Sequence, residues 1–347
     1  MRYNEQAINL LKWYDMHARD MPWRVPPVDR KMGVVPNPYY IWLSEVMLQQ
    51  TTVAAVKSYY RKFVEAWPTI GDLAVAQDAD VMAAWAGLGY YARARNLLKC
   101  ARVVSHEMNG VFPDTYGALL KLPGIGPYTA AALASIAFNQ RAVVLDGNVE
   151  RVMARLYRVE EPLPESKKAL HWYADQLTPN ERSGDYAQAV MDLGATICTP
   201  RSPNCGICPW MQNCEGRKMG DAATYPRKMP KKIKPVRQGV AFVAIRNNGA
   251  VLMERRPDKG LLGGMLGWPG TEWCEEGMRG QPPIDGEWRE AGDVRHTFTH
   301  FHLELSVFVA KNVEGDPSTG SFLSKEIFSP SNLPTVMRKV WDVALKR

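Results

Sequence analysis

Four cysteines, Cys198, Cys205, Cys208 and Cys214, are spaced C-x6-C-x2-C-x5-C within seventeen residues of a stretch rich in Pro, Asn and Gly. A hydrophobic core does not gather four thiols into so polar a segment. Thiolates held this close act as metal ligands. Only one C-x2-C is present, so the paired motif of a zinc ribbon is missing. A cubane iron–sulfur cluster needs four thiolates converging on one centre, and one short loop can supply them. Spacing alone places iron–sulfur ahead of zinc, with a disulfide pair as the remaining alternative. Any metal reading obliges the chain around residues 198–214 to close onto one point.

At 347 residues the chain has room for two domains. No apolar run approaches the roughly 18 residues of a membrane span. The opening segment, MRYNEQAINLLKWYDMH, carries charges inside its apolar stretch and reads as an amphipathic helix, not a signal peptide. The expected setting is therefore the cytoplasm, where thiols stay reduced, and this weakens the disulfide alternative. Cys100 and Cys274 stand alone and read as small buried hydrophobes. The net charge of +7 is uneven. Residues 238–347 carry 13 Lys and Arg against 14 Asp and Glu, which leaves 30 against 22 for residues 1–237. The basic first part suits contact with a polyanion.

Periodicity divides the chain. Residues 1–215 read as mostly helical, with apolar residues at three- and four-residue steps in segments such as 42–67 and 78–108. Residues 216–237 read as an exposed basic linker, with prolines among eight Lys and Arg. From Gln238 the period becomes that of strands. GVAFVAIRN and NGAVLMERR form a hairpin with Asn-Asn-Gly at its turn, and TFTHFHLELSVFVAK alternates as a further strand. Residues 238–347 are thus expected to be a separate α+β domain.

Several motifs carry chemistry. Leu122-Pro-Gly-Ile-Gly-Pro-Tyr-Thr129 precedes a helix of small residues. Gly124 and Gly126 permit a tight turn, and the free N–H groups of the next helix, including that of Thr129, can hold a phosphate without reading sequence. Asp146 precedes another helix and suits an N-cap. It also lies twenty-two residues after Gly124, so the intervening helix can return it beside the gripped phosphate. A carboxylate there has a use if positive charge develops at a sugar C1′. Glu45 is the one acid between Tyr39 and Ala55. Near a helix start it would simply favour the dipole; among Trp42, Val46 and Leu48 it would instead be desolvated, with a raised pKa fit for a general acid. Gln49 and Gln50, one helical turn on, carry amides suited to base edges.

With these motifs in order, the chain resembles the MutY-type adenine DNA glycosylases of the endonuclease III-like helix-hairpin-helix superfamily. The resemblance extends through Pro22–Arg24, Gly87–Leu97, Met191–Cys198 and the RHTFTHFHL stretch. It implies a multidomain chain: an all-α glycosylase domain in two lobes over residues 1–215 with a [4Fe–4S] loop at 198–214, then a Nudix-like domain over 238–347. It implies action on double-stranded DNA with adenine opposite 8-oxoguanine or guanine; a monomer is expected. Glu45 matches the general acid that protonates adenine N7 and later helps activate water. Asp146 matches the carboxylate that stabilises, or transiently bonds, the oxocarbenium-like C1′. Tyr128 and Asn148 match residues lining that pocket. Gln50 and Tyr90 match residues that wedge into the duplex, and Phe298, Thr299 and His300 match the loop that senses the oxidised base.

Three departures stand out. Thr299 replaces the usual serine of the sensing loop and keeps its hydroxyl. The loop from Val25 to Pro38 is longer than usual. The second domain lacks the glutamate-rich Nudix box, which argues against nucleotide hydrolysis. The nearest rival is a bifunctional glycosylase/lyase of the endonuclease III kind. It needs a lysine in the hairpin motif to form a Schiff base, and Tyr128 occupies that position. A non-catalytic iron–sulfur DNA-binding protein would have no need of paired Glu45 and Asp146.

Overall fold

The computed structural model describes residues 2–230, 233–257, 260–277 and 280–346. The chain forms two compact units, residues 1–230 and 231–347.

The first unit is helical and has two hydrophobic cores. One gathers Trp42, Phe63, Val81 and Leu97 from helices Pro38–Leu48, Val53–Ala66, Asp78–Ala84 and Ala92–Glu107, with Trp85 just past the third. The other gathers Leu10, Met153, Leu170 and Val190 from helices Arg2–His17, Gly147–Leu156, Lys167–Leu177 and Ser183–Thr196. Helix Pro127–Ile136 serves both, with Ala130 and Leu133 facing the first and Ala131 and Ile136 the second. Its small residues allow close approach on every side. A Cβ on Gly184 would lie 2.3 Å from Ser135 O, so helix Ser183–Thr196 crosses here at backbone distance.

Both long helical runs read from the sequence are interrupted. Residues 42–67 split after Leu48, where Gln50 takes a left-handed φ of 58°, and the chain restarts at Val53 under a Thr52 cap. Residues 78–108 split at Gly87–Tyr90, where Gly87, Gly89 and Tyr90 all have positive φ. The exposed linker expected over 216–237 is in large part folded onto the helical unit. Tyr225 is buried, its carbonyl accepts from Arg155 Nε at 3.0 Å, and Leu163 bridges to Lys228. The backbone is anchored there while the basic side chains of Arg217, Lys218 and Lys228 stay exposed. The long loop after Arg24 contains a short helix, Pro27–Lys31, tied down by Arg30 to Asp185 at 3.4 Å and Lys31 to Asp15 at 2.7 Å.

The second unit is a mixed sheet with strands β1 (Val236–Ile245), β2 (Val251–Arg255), β3 (Leu266–Gly267), β4 (Arg289–Thr297), β5 (His302–Lys311) and β6 (Ser321–Leu323). The order is β3-β2-β1-β5-β4, with β6 on β2 and only β1–β5 parallel among these pairs. Helix Thr335–Leu345 covers one face through Val336, Met337 and Val340. The β1–β2 hairpin turns at Asn247–Gly249 as read. The single strand read over 297–311 instead begins at His302, and residues 298–301 are the β4–β5 turn. Phe301, in phase with Leu303 and Leu305, extends the alternation back into that turn, which hid it. Cys100 is fully buried, whereas Cys274 is only partly so; its backbone pairs with Gln238. No helix among the described residues is long and apolar enough to cross a membrane.

Candidate active site

A cleft of about 770 Å³ opens in the helical unit. It is lined by Glu45, Gln49, Gln50, Gly124, Gly126, Tyr128, Thr129, Asp146 and Asn148. Tyr90 is not among the lining residues, and Phe298, Thr299 and His300 belong to the other unit. Arg24 and Gln188 also line the cleft and were not singled out from sequence. The available signal was Asp185, Gln188 and Asp192 recurring at three- and four-residue steps, a polar stripe that the structure buries.

Glu45 lies in the last turn of helix Pro38–Leu48, not near its start, so the helix dipole cannot explain it. Asn37 caps that helix by accepting from Tyr39 N–H, and the helix is buried along most of its length. Glu45 is 6% exposed. Burial, the largest cause, pushes its carboxyl from an ordinary 4.5 up to about 7; the Tyr128 hydroxyl opposes the rise, the Asp146 charge adds to it and Arg24 opposes it. A carboxyl in this range can hold a proton near neutrality and release it during reaction. Arg24 is itself fixed by Asp192, at 2.8 Å. Asp192 is fully buried, and its carboxylate also takes Arg19 Nε at 2.6 Å.

Asp146 is both a cap and a cleft residue. Its Oδ1 accepts from Val149 N–H at 2.7 Å at the start of helix Gly147–Leu156, and its Oδ2 accepts from Asn148 Nδ2 at 2.7 Å. Two N–H donors and the positive end of a helix suit an anion there. Asn148 is held in turn by Arg151, whose Nη2 donates to Asn148 Oδ1 at 2.9 Å and to Gly194 O at 2.6 Å. Gly194 is required at this crossing, because a Cβ would lie 2.7 Å from Asn148 Cβ. Arg151 Nε donates to Cys198 O at 2.8 Å, so one hydrogen-bonded chain joins the cysteine loop to Asp146.

The hairpin turn runs from Leu120 to Gly126, with Gly126 and Pro127 opening the next helix. Gly124 has φ 74°, and a Cβ there would meet Asn96 at 2.6 Å. The first N–H groups of helix Pro127–Ile136 have no intrahelical acceptor. Gln49 Nε2 donates to Thr129 Oγ1 at 3.3 Å, which ties the end of the Glu45 helix to the hairpin. Gln50 and Tyr90 are both exposed, and both sit in the left-handed region at 58° and 48°. Such backbones cost about 1–3 kcal/mol each and persist where surroundings enforce them.

The four loop cysteines are free and partly buried, and together they line a small cavity with Arg155 and Arg217. Burial, with the neighbouring thiols, pushes Cys208 up to about 12 and Cys214 upward. Their ionised forms therefore need bound cationic metal. Four free thiols lining one cavity are the donor set an iron–sulfur cluster uses. Buried Arg155 braces the loop by donating to Cys198 Sγ at 3.3 Å and Thr199 O at 2.7 Å. Trp210 Nε1 anchors it to Gln6 O at 2.8 Å.

In the second unit, Phe298 is packed against Trp273 and Phe301, with ring centroids 5.8 and 5.0 Å away. Its N–H donates to Phe301 O, and its carbonyl accepts from Lys234 Nζ at 2.9 Å. The turn is therefore pinned at Phe298 while Thr299 and His300 are exposed.

Comparison with known proteins defines the class first. Residues 43–173 match the HhH-GPD superfamily of base excision DNA repair proteins, residues 198–214 the iron–sulfur binding domain of endonuclease III, and residues 240–343 the NUDIX domain. The solved structure of a thermostable thymine-DNA glycosylase shares 30% identity, with TM-score 0.54 over 62% of this chain and 97% of that one. The human adenine DNA glycosylase is 35% identical over 96% of this chain and 73% of its own length. That from Mycolicibacterium smegmatis is 41% identical over 64% and 73%. The chain belongs to the adenine DNA glycosylase family, hydrolases of base excision repair that carry an iron–sulfur loop.

Proposed function

We propose that this chain is a monofunctional glycosylase that excises adenine mispaired with 8-oxoguanine, and also with guanine, from duplex DNA. The observation that carries the reading is the cleft that unites buried Glu45 with Asp146 beside the hairpin turn. A base inside a duplex is out of reach, so the adenine must be flipped into the cleft at a cost of a few kcal/mol. Backbone N–H groups around Gly124, Gly126 and Thr129 grip a phosphate, and Gln50 and Tyr90 fill the space the base leaves. Buried Gln188 spends its Nε2 on Gly184 O, at 3.2 Å, which leaves Oε1 for an adenine N–H.

Adenine leaves poorly as an anion. Glu45 donates its proton to N7, the C1′–N9 bond breaks, and its electron pair stays on the neutral base. Asp146 faces the cation that develops at C1′, held there by Val149 N–H and Asn148. Glu45, now a carboxylate, takes a proton from water as the water oxygen bonds to C1′. Tyr128 steadies Glu45 and offers no amine. Lys167, the one lysine lining the cleft among the described residues, is paired with Glu150 at 3.1 Å. This supports hydrolysis over Schiff-base chemistry.

Cys198, Cys205, Cys208 and Cys214 would hold a [4Fe–4S] cluster. Bound, it supplies the cationic centre that keeps four thiolates together and so fixes the loop end of the Arg151–Asn148–Asp146 chain. Purified protein is expected to be brown, with broad absorbance near roughly 400 nm. Colourless protein with one tightly bound zinc per chain contradicts this assignment.

Recognition of 8-oxoguanine falls to the second unit, where Thr299 offers a hydroxyl and His300 a ring N–H. A pair of such hydrogen bonds gives about 1–3 kcal/mol of discrimination. Truncation after Pro230 should keep excision of adenine opposite guanine and lose most of the preference for adenine opposite 8-oxoguanine. Thr299→Ala with His300→Ala should reproduce part of that loss. The readout is the ratio of single-turnover rates on the two mispairs. An unchanged ratio in the folded truncated protein would move damage recognition to the helical unit.

A further inference from the structure

Arg93, the second residue of helix Ala92–Glu107, joins two turns that the sequence keeps far apart, 46–51 and 88–90. Its Nη1 donates to Val46 O and Met47 O, both at 3.0 Å, in the last turn of the Glu45 helix. Its Nη2 donates to Thr51 Oγ1 at 3.3 Å, just after Gln50, and to Leu88 O and Gly89 O at 3.1 and 3.3 Å, just before Tyr90. The guanidinium carbon lies 5.3 Å from the Trp85 ring centroid and 5.6 Å from that of Tyr90. Trp85 Nε1 adds a bond to Gly89 O at 3.0 Å. Gln50 and Tyr90 have left-handed backbones with side chains, which relax unless their surroundings hold them. The guanidinium is the group that both turns share.

We propose that Arg93 is a positioning residue that couples the Gln50 and Tyr90 turns into one rigid wedge, so that the two side chains enter the duplex as a unit. The inference rests on the wedge reading of those residues given above. It assigns Arg93 no contact with the reacting atoms. A planar fork with five donors can serve carbonyls of both turns and the Thr51 hydroxyl at once, whereas a lysine ammonium has three donors at one point and no planar face. Charge alone therefore does not replace it.

The test is Arg93→Lys, checked by circular dichroism for retention of the fold. Single-turnover adenine release is measured on two DNAs. One is a duplex with adenine opposite 8-oxoguanine. The other carries the same adenine as a single-nucleotide bulge, already unstacked and in little need of a wedge. The expected result is a loss of about 10²-fold on the paired adenine, the scale for displaced positioning groups. The rate on the bulge should be unchanged. In a Tyr90→Ala background, Arg93→Lys should add little further loss on the paired substrate, because both changes disable one device. Equal losses on the two DNAs would show that Arg93 acts through the Glu45 helix or the fold at large, and would overturn the proposal. So would full wild-type activity on both, or additive losses with Tyr90→Ala. Wild-type protein that releases no adenine from either DNA overturns the glycosylase reading itself, a result distinct from each of these.

Discussion

Replacing Glu45 with glutamine should slow single-turnover adenine excision by at least about 10²-fold, the usual contribution of a positioned general acid. Glutamine keeps the shape and the contact with Tyr128 but has no acidic proton to give. Asp146→Asn should cost a similar factor, about 10²–10³, because it removes the anion facing C1′ while an amide still fits the cap. DNA binding should survive both changes, since backbone amides and basic side chains supply it. The wild-type rate should fall as pH rises through about 7, where Glu45 loses its proton. Glu45→Gln should lack that limb. Stability follows the same titration. Glu45 titrates near 7 when folded and near 4.5 ordinarily, so between those values the folded chain binds more protons than the unfolded one. Its contribution to stability is full below about 4.5 and is lost as pH rises to about 7. Glu45→Gln should flatten this dependence. A variant that excises adenine at the wild-type rate would remove Glu45, or Asp146, from its assigned role.

Asp192→Asn should be the most destabilising of these single changes. Asp192 is fully buried and accepts from Arg19 N–H, Arg19 Nε and Arg24 Nη1 at 3.0, 2.6 and 2.8 Å. Burial works against the Arg24 charge, and Asp192 is what outweighs it. An uncharged partner leaves Arg24 buried without a counter-ion, which costs about 3–5 kcal/mol. For a unit of this size that corresponds to roughly 6–20 °C in apparent Tm. The same change frees Arg24 next to Glu45, so excision should fall even at temperatures where the variant stays folded. Thermal melts by circular dichroism provide the check. An apparent Tm equal to that of the wild type would show that Arg24 finds another partner.

The sequence carried most of the chemistry and less of the geometry that holds it. Glu45 was recognisable because its neighbours Trp42, Val46 and Leu48 are local, and local apolar crowding predicts desolvation. Its place in the final turn was hidden. Apolar periodicity continues past Leu48, and the carbonyls at the break are taken by Arg93, more than forty residues away. Asp146 read as either a cap or a functional carboxylate, and it serves as a cap inside the cleft. The Arg24–Asp192 pair spans 168 positions, and no local pattern says that these two residues meet. Residues 217–230 looked solvated because their side chains are, while the backbone beneath is pinned through Tyr225 to buried Arg155. Likewise Phe301, in phase with Leu303 and Leu305, lends strand-like alternation to what is a turn. Composition reports which side chains face water; it does not report which carbonyls a distant arginine has claimed.

The most direct test is a single-turnover incubation of the full chain with duplex DNA carrying adenine opposite 8-oxoguanine, read for free adenine and for strand breaks before and after alkali. The predicted result is released adenine, an abasic site that breaks only after alkali, and no protein–DNA adduct on borohydride treatment. Adenine left on its strand, or a borohydride-trapped adduct with cleavage in the absence of alkali, would contradict hydrolysis by Glu45 and Asp146.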